Sequence, residues 1–303
     1  MAKAKTKKHS PIFYLFLLPA VFALVFVIII PFILGVYYSF TDWNAVSPTQ
    51  VNWVGLRNYV AVFNDVTFLH SFIVTTVFAI INMIVINIVA FTLAMIVTSK
   101  LKLTNIYRAG FFLPHLIGGI ILGYIWQFIF NNAIPAFGNT IGFSWLAQNP
   151  FLADRNLAIL AIVTVSTWQF AGYIMMIHVA AIQGVPTSLL EAAEIDGATY
   201  FQKIRRVLLP LIAPAFTIST FLTLLNSFRI FDVNLALTAG GPSGMFMGRA
   251  LNTTEFLALN IYNTAFAFRE LAQGQAQAVI FFITITSISL VQVYFSKRKE
   301  ITM

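Results

Sequence analysis

Ten carboxylates and four histidines are the side chains of this sequence that could move a proton, ligate a metal or activate a nucleophile. The carboxylates are Asp42, Asp65, Asp154, Glu191, Glu194, Asp196, Asp232, Glu255, Glu270 and Glu300; the histidines are His9, His70, His115 and His178. Catalysis needs such groups in constellations: a nucleophile beside its base, an acid pair, or a ligand cluster such as H-E-x-x-H. The sequence offers none of these patterns, and without cysteine it has neither disulfides nor thiolate metal sites. The glycine-rich "GGPSGMFMG" lacks the Lys and the Ser or Thr with which G-x-x-x-x-G-K-[ST] holds phosphate and magnesium. The chain therefore reads as non-catalytic, with no nucleotide, metal or other cofactor bound by its own residues. One stretch concentrates charge. "SLLEAAEIDGATYFQKIRRVLLPLIAPA", Ser188 to Ala215, gathers Glu191, Glu194 and Asp196 with Lys203, Arg205 and Arg206 around Gly197.

The elements that must carry this island are apolar. Of 303 residues, 59% are hydrophobic and 9% charged, against about 25% charged in soluble domains, which makes this an integral membrane protein. Crossing a bilayer takes about 20 apolar residues in a helix. Six runs qualify, roughly 12–40, 70–98, 108–130, 156–183, 210–231 and 276–296. The expected fold is all-α, a single polytopic membrane domain over 1–303 with six transmembrane helices and a cytoplasmic loop at about 186–209. The run from Pro11 to Phe40 follows the basic "KAKTKKHS" but is far longer than the apolar core of a signal peptide, about 7 to 15 residues, so it is expected to remain as a membrane helix.

Net charge is +8, yet the bases lie in clusters flanking apolar runs, the pattern of topology signals and not of a nucleic-acid footprint. Lys3, Lys5, Lys7 and Lys8, then Lys100, Lys102 and Arg108, then Lys203, Arg205 and Arg206, then Lys297, Arg298 and Lys299 fall on one side. Arg57, Arg155, Arg249 and Arg269 fall on the other, and Arg229 belongs to helix five. This bias puts both termini and the charged island in the cytoplasm. Two long connections, about 41–69 and 233–275, form the outer face; in the first, Trp53, Val54, Leu56, Tyr59, Val60 and Phe63 suit a short interfacial helix.

Within the island, Ser188 with Glu191 and Thr199 with Gln202 each have capping-box spacing, and Gly197 between them can take the left-handed conformation that ends a helix. Two short helices joined by a tight turn are expected, with Pro186 before the first and Pro210 at the start of helix five. A rigid cytoplasmic knob bearing Ala192 and Ala193 instead of bulky groups suits entry into a groove on another protein; the plainer reading is a solvated loop.

At membrane depth, polar groups face a cavity or another helix. His115 follows Pro114, two turns into helix three; helix four holds Ser166, Thr167, Trp168, Gln169 and Tyr173; helix five holds Asn226, Ser227 and Arg229. Each has a structural alternative. Hydroxyls and amides bond between helices, Arg229 can snorkel or pair with Asp232, and Gly119 with Gly123 spells a packing G-x-x-x-G.

The segment "EAAEIDGATYFQKIRRVLLPLIAP" resembles the EAA loop of permease subunits in binding-protein-dependent ABC importers, with Glu191, Ala192, Ala193, Asp196, Gly197, Leu209 and Pro210 at matching positions. "FTDW", "WVGLRNY", "RAGFFLPHLIGGIILGYIW", "TWQFAGYIMMI" and "FRIFDVNLALTAGGP" are similar to the carbohydrate branch of that family, the maltose, multiple-sugar and glycerol-phosphate type, over nearly the whole chain. The resemblance implies the type I ABC importer permease fold, in a bacterial cytoplasmic (inner) membrane. It implies a heterodimer with a second related permease, two nucleotide-binding ATPase subunits carrying ATP and Mg, an extracellular solute-binding protein, and a carbohydrate, an oligosaccharide, as cargo. It also implies that the island is the coupling helix seated in an ATPase cleft, and that His115, Ser166, Gln169, Phe170, Tyr173, Asn226 and Arg229 line the pathway. Arg229 leaves glycerol phosphate or another small polar solute as the second choice of cargo. An ion-coupled secondary transporter is the mechanistic rival; it usually needs an ionisable residue inside the membrane, and only Asp232 approaches a helix end.

Overall fold

The computed structural model describes residues 11–44, 46, 51–99 and 102–298. Lys3, Lys5, Lys7, Lys8, His9, Lys100, Lys299 and Glu300, on which part of the orientation reading falls, lie outside the described residues. The chain, read above as one domain, packs as two compact units, one of residues 1–64 with 263–280 and the other of 65–262 with 281–303.

The first unit opens with α1 (Phe13–Tyr38), whose apolar surface is exposed along its length. In water that would be ruinous; in hydrocarbon it is the ordinary condition of a spanning helix. Past α1, Thr41 bridges Trp53, and α2 (Arg57–Asn64) follows. Asn58 is buried and its amide donates to the carbonyls of Ser39 (2.8 Å) and Thr41 (2.7 Å), while Tyr59 and Ser39 share a hydroxyl hydrogen bond of 2.7 Å. Leu56, Val60 and Phe63, spaced along one face, are exposed, as an interfacial helix requires. The turn between Phe40 and Trp53 is tied by Asp42, which accepts from the backbone N–H (2.6 Å) and side-chain amide (3.0 Å) of Asn52.

The second unit is a helical bundle. α3 (Val66–Thr98) starts on the N-cap Asp65, and at 33 residues it is about 50 Å long, longer than the bilayer core is thick. α4 (Thr104–Phe112) and a 3₁₀ turn (Leu113–Leu116) lead to α5 (Gly119–Thr140), α6 (Ser144–Gln148) and α7 (Arg155–Gly184), itself capped by Asp154. Next come α8 (Thr187–Ile195), α9 (Tyr200–Leu211), α10 (Ala213–Phe228) and α11 (Asp232–Thr238). β1 (Ser243–Phe246) and β2 (Arg249–Asn252) form an antiparallel hairpin before α12 (Leu257–Tyr262). α13 (Leu271–Lys297) belongs to the first unit up to Ile280 and to the second from Phe281. Among the described residues, five helices are long and apolar enough to span a membrane, or six if the α9–α10 pair, bent by 71°, is one span.

α3 and α7 form the spine. Ala90 and Ala94 of α3 and Ala158 and Ala161 of α7 are buried, small residues that let backbones approach where no hydrophobic effect drives helices together. Ile86, Ile174, Met175 and Val179 pack beside them, and Val74, Phe78, Leu122, Ile162, Leu237 and Phe256 fill a separate core cluster. Asn82 of α3 bonds to the hydroxyls of Ser166 on α7 (3.0 Å) and Ser227 on α10 (2.8 Å), joining three helices by one amide. On α7, Gly172 is a point of contact. A Cβ there would lie 1.8 Å from the carbonyl oxygen of Phe111.

Three expectations are corrected. The run 108–130 is not one helix: Pro114 lies in a 3₁₀ turn, Ile117 and Gly118 are extended, and the span starts afresh at Gly119 and runs to Thr140. Pro210 lies near the end of α9, and helix five starts at Ala213 with Pro214 in its first turn, where a missing N–H costs no hydrogen bond. The stretch 233–275 is not merely an outer loop. α11 packs back against α5, and Phe256 and Leu257 are wholly buried.

Gly172→Ala should destabilise the protein by about 1–3 kcal/mol, since rigid backbone cannot yield to the added methyl. Gly110→Ala, where nothing lies within 4 Å, should be neutral or better; thermal melts of the solubilised protein compare the two. Asn52 holds the Asp42 carboxyl below its ordinary 3.8, first through its backbone N–H and then through its side chain. A lowered folded value means that the tie is complete above that ordinary value and lost as pH falls through the lower one. Hydrogen exchange at residues 41–44 and 51–53, corrected for intrinsic rates, should accelerate over that acid window and lose the effect in Asp42→Asn.

Candidate functional site

Two broken helices meet at a cavity. α10 ends at Phe228, with Arg229 as its C-cap and α11 starting at Asp232; on the facing side the chain is extended at Ile117 and Gly118 before α5. Between them lies a space of about 300 Å³ bordered by Gln169, Phe170, Asn226, Arg229 and Asp232, with Gly119 and Val233 among its other walls. A break inside a bilayer frees backbone groups that need new partners. Gln169 supplies one, its Nε2 donating to the Ile117 carbonyl at 3.0 Å.

The G-x-x-x-G of α5 sets how near α11 can come. A Cβ on Gly119 would stand 2.7 Å from the Asp232 Cβ, and one on Gly123 would stand 2.5 Å from the Ala236 Cβ. Farther along, the Gln127 amide donates to the Leu237 carbonyl (3.2 Å). Close packing therefore presses the Asp232 side chain over the first turn of α5, whose amides have no intrahelical acceptor.

Of the seven pathway residues expected from sequence, Gln169, Phe170, Asn226 and Arg229 share this cavity. His115 and Tyr173 stand behind it as an aromatic group: their rings stack at 4.6 Å and 12°, and His115 meets Phe170 edge-on at 5.3 Å. His115 sits in the 3₁₀ turn and not within a long helix, because Pro114 interrupts the ladder. Ser166 is not brought to the cavity. It is buried, and its hydroxyl accepts from Asn82. No salt bridge joins Arg229 to Asp232, because the chain leaves the helix between them and the one-turn spacing is lost. Asp232, not singled out as a pathway residue from sequence, lines the cavity; its spacing from Arg229 was the available signal, read there as an ion pair.

The charged island folds as a rigid elbow. α8 ends in a Schellman turn, with Ala198 N–H bonding to Ala193 C=O (2.9 Å) and Gly197 N–H to Glu194 C=O (3.0 Å), Gly197 at φ +76°. Thr199 and Gln202 cap each other at the start of α9, and Lys203 is ion-paired with Glu194 across the turn. The expected box at Ser188 does not form: Pro186 is the N-cap of α8 and makes no side-chain cap bond, so Ser188 already lies inside the helix. Leu190 packs inward with Val185, Leu208 and Ile212, whereas Ile195, Tyr200 and Phe201 are exposed, Ile195 by 87%. Glu191, Ala192, Asp196 and Gly197 are exposed as well, and Ala193 is half-buried.

An all-helical bundle with broken helices around a polar cavity, and an exposed elbow between two of them, defines a polytopic membrane permease. The family described as "Binding-protein-dependent transport system inner membrane component" matches residues 102–301, and the chain belongs to it. The chain is 45% identical, over 99% of both chains, to the probable starch degradation products transport system permease protein AmyD of Thermoanaerobacterium thermosulfurigenes. It is 31% identical to the multiple sugar-binding transport system permease protein MsmF of Streptococcus mutans, over 89% of this chain and 90% of that one. A solved bacterial ABC transporter involved in the import of the acidic polysaccharide alginate has the same fold, with a TM-score of 0.79 over 95% of both chains at 19% identity.

Around Gly197 nothing lies within 4 Å of an added Cβ, so substitutions there act through backbone φ alone. Transport by the assembled system should fall in the order Gly, Asn, Ala, Val at position 197, as tolerance of the left-handed region falls. A valine variant that inserts and transports at the wild-type rate would show that the turn is not needed.

Proposed function

We propose that this chain is the membrane-spanning subunit of an ATP-driven importer that receives a carbohydrate, of oligosaccharide size, from a solute-binding protein and passes it to the cytoplasm. The observation that carries the reading is the elbow from α8 to α9: a capped, ion-paired turn that presents Ile195, Tyr200 and Phe201 to its surroundings. Exposed apolar groups on a rigid knob fit a groove on a partner. In this reading the partner is one of two ATPase subunits, which bind the ATP and Mg; the chain contributes no cofactor site. A second related permease completes the pathway as a heterodimer, and the outer segments around α2 and the β1–β2 hairpin receive the solute-binding protein. Both termini and the elbow face the cytoplasm of a bacterial inner membrane, as the clustered bases imply.

Mechanically, nucleotide-driven closure of the ATPase pair moves the elbow, and the 71° bend between α9 and α10 carries that movement into the helix whose far end borders the cavity. The carbohydrate reading is supported by the names of relatives and by the cavity's chemistry. An aromatic wall formed by Phe170, backed by His115 and Tyr173, can stack on a sugar ring, while the amides of Gln169 and Asn226 bind its hydroxyls. Selectivity can then rest largely with the solute-binding protein.

Ile195→Asp puts a charge on the exposed apex without entering the core. In the reconstituted transporter it should reduce sugar-stimulated uptake by at least about tenfold, the loss expected when one buried interface anchor is replaced. Crosslinking from Ala193→Cys should capture an ATPase subunit. Full uptake with Ile195→Asp, together with no such crosslink, would refute the coupling role.

A further inference from the structure

We propose that Arg229 and Asp232 form a charge-balanced filter that admits uncharged saccharides to the cavity and rejects anionic ones. This rests on the carbohydrate-import reading and adds a selectivity to it. Among the described residues, Arg229 and Asp232 are the charged side chains bordering the cavity; both are exposed to it or its mouth, and no salt bridge joins them. Two opposite charges brought to one small space without neutralising each other by contact are available to a ligand. The Asp232 side chain lies close against the bare backbone of Gly119: its Cβ is 2.7 Å, and its Oδ2 3.4 Å, from where a Gly119 Cβ would stand.

The donor and acceptor inventory gives the selectivity. A carboxylate only accepts hydrogen bonds, a guanidinium only donates, and the amides of Gln169 and Asn226 can do both. A sugar hydroxyl both donates and accepts, so adjacent hydroxyls on a ring can satisfy Asp232 and Arg229 together. An anionic group of a uronate or phosphate ester can only accept. It would satisfy Arg229 and leave Asp232 facing a like charge at close range, which disfavours the charged pair. A cavity holding Arg229 alone would favour anions; the carboxylate beside it removes that preference.

The test uses the complete transporter in lipid nanodiscs, with its ATPase and sibling subunits and without the solute-binding protein, so that the membrane cavity alone selects. The probes are maltotriose, uncharged, and the trimer of galacturonic acid, anionic and of similar size, each followed by saturation-transfer NMR and mutual competition. Wild type should bind maltotriose in preference to the uronate. Asp232→Asn, nearly isosteric, should shift that preference toward the uronate by about tenfold or more, the effect of removing one nearby like charge. Arg229→Gln should shift it the other way, and it reads the same filter should Asp232→Asn fail to assemble. A maltotriose-binding wild type whose preference does not move in either variant overturns the filter and leaves the carbohydrate reading intact. Uronate preference in wild type also overturns the filter. Binding of neither trisaccharide, by a transporter whose ATPase remains active, counts against the carbohydrate reading and removes the filter with it.

Discussion

A backbone carbonyl released where a helix breaks inside hydrocarbon has no water to bond, and the whole arrangement around the cavity depends on meeting that demand. The chain breaks twice at one place, at Ile117–Gly118 and at Arg229–Phe231. The Gln169 amide takes up the Ile117 carbonyl, and glycines at 119 and 123 let α11 lie close against α5 beside the break. The breaks that this packing tolerates create the opening in which Phe170, Asn226, Arg229 and Asp232 converge. Continuous helices would leave no such space.

Around this irregular region the rest of the bundle is regular. The alanine seam between α3 and α7 and the Asn82 amide, bonded at once to Ser166 and Ser227, join α3, α7 and α10 at membrane depth. Interhelical hydrogen bonds in membranes are modest, about 0.6 kcal/mol on average. They therefore suit helices that must hold a register in one state and shift in another. In the proposed coupling α10 is the element with most to transmit: its start is joined through the 71° bend to the elbow, and its far end carries Asn226 and Arg229.

The elbow works by the opposite means, local rigidity. The Schellman turn, the Thr199–Gln202 box and the Lys203–Glu194 pair tie together the segment from Ala193 to Lys203, so its exposed apolar groups are held in place without support from a large core. Such rigidity fits the proposed coupling role, since an element that bends absorbs a push instead of passing it on.

Chemical type alone was enough for the class of protein and for this elbow. Apolar runs, clustered bases, a left-handed Gly197 and a capping pair are short-range signals, set by transfer into lipid and by backbone sterics between near neighbours. The same signals misplaced Ser188, since the helix starts from Pro186 and Ser188 already lies within it. What the sequence could not determine was where helices stop being straight. The run 108–130 is apolar throughout, and hydropathy does not register the break before Gly119; the seven residues of α11 are too few to look like membrane structure at all. Whether Ser166 joins a cavity or an interhelical bond, and whether Asp232 pairs with Arg229 or opens beside it, depends on which helices lie opposite. Those are contacts between residues far apart in the chain, and only the tertiary packing, set by the depth of the grooves at Gly119, Gly123 and Gly172, brings them together.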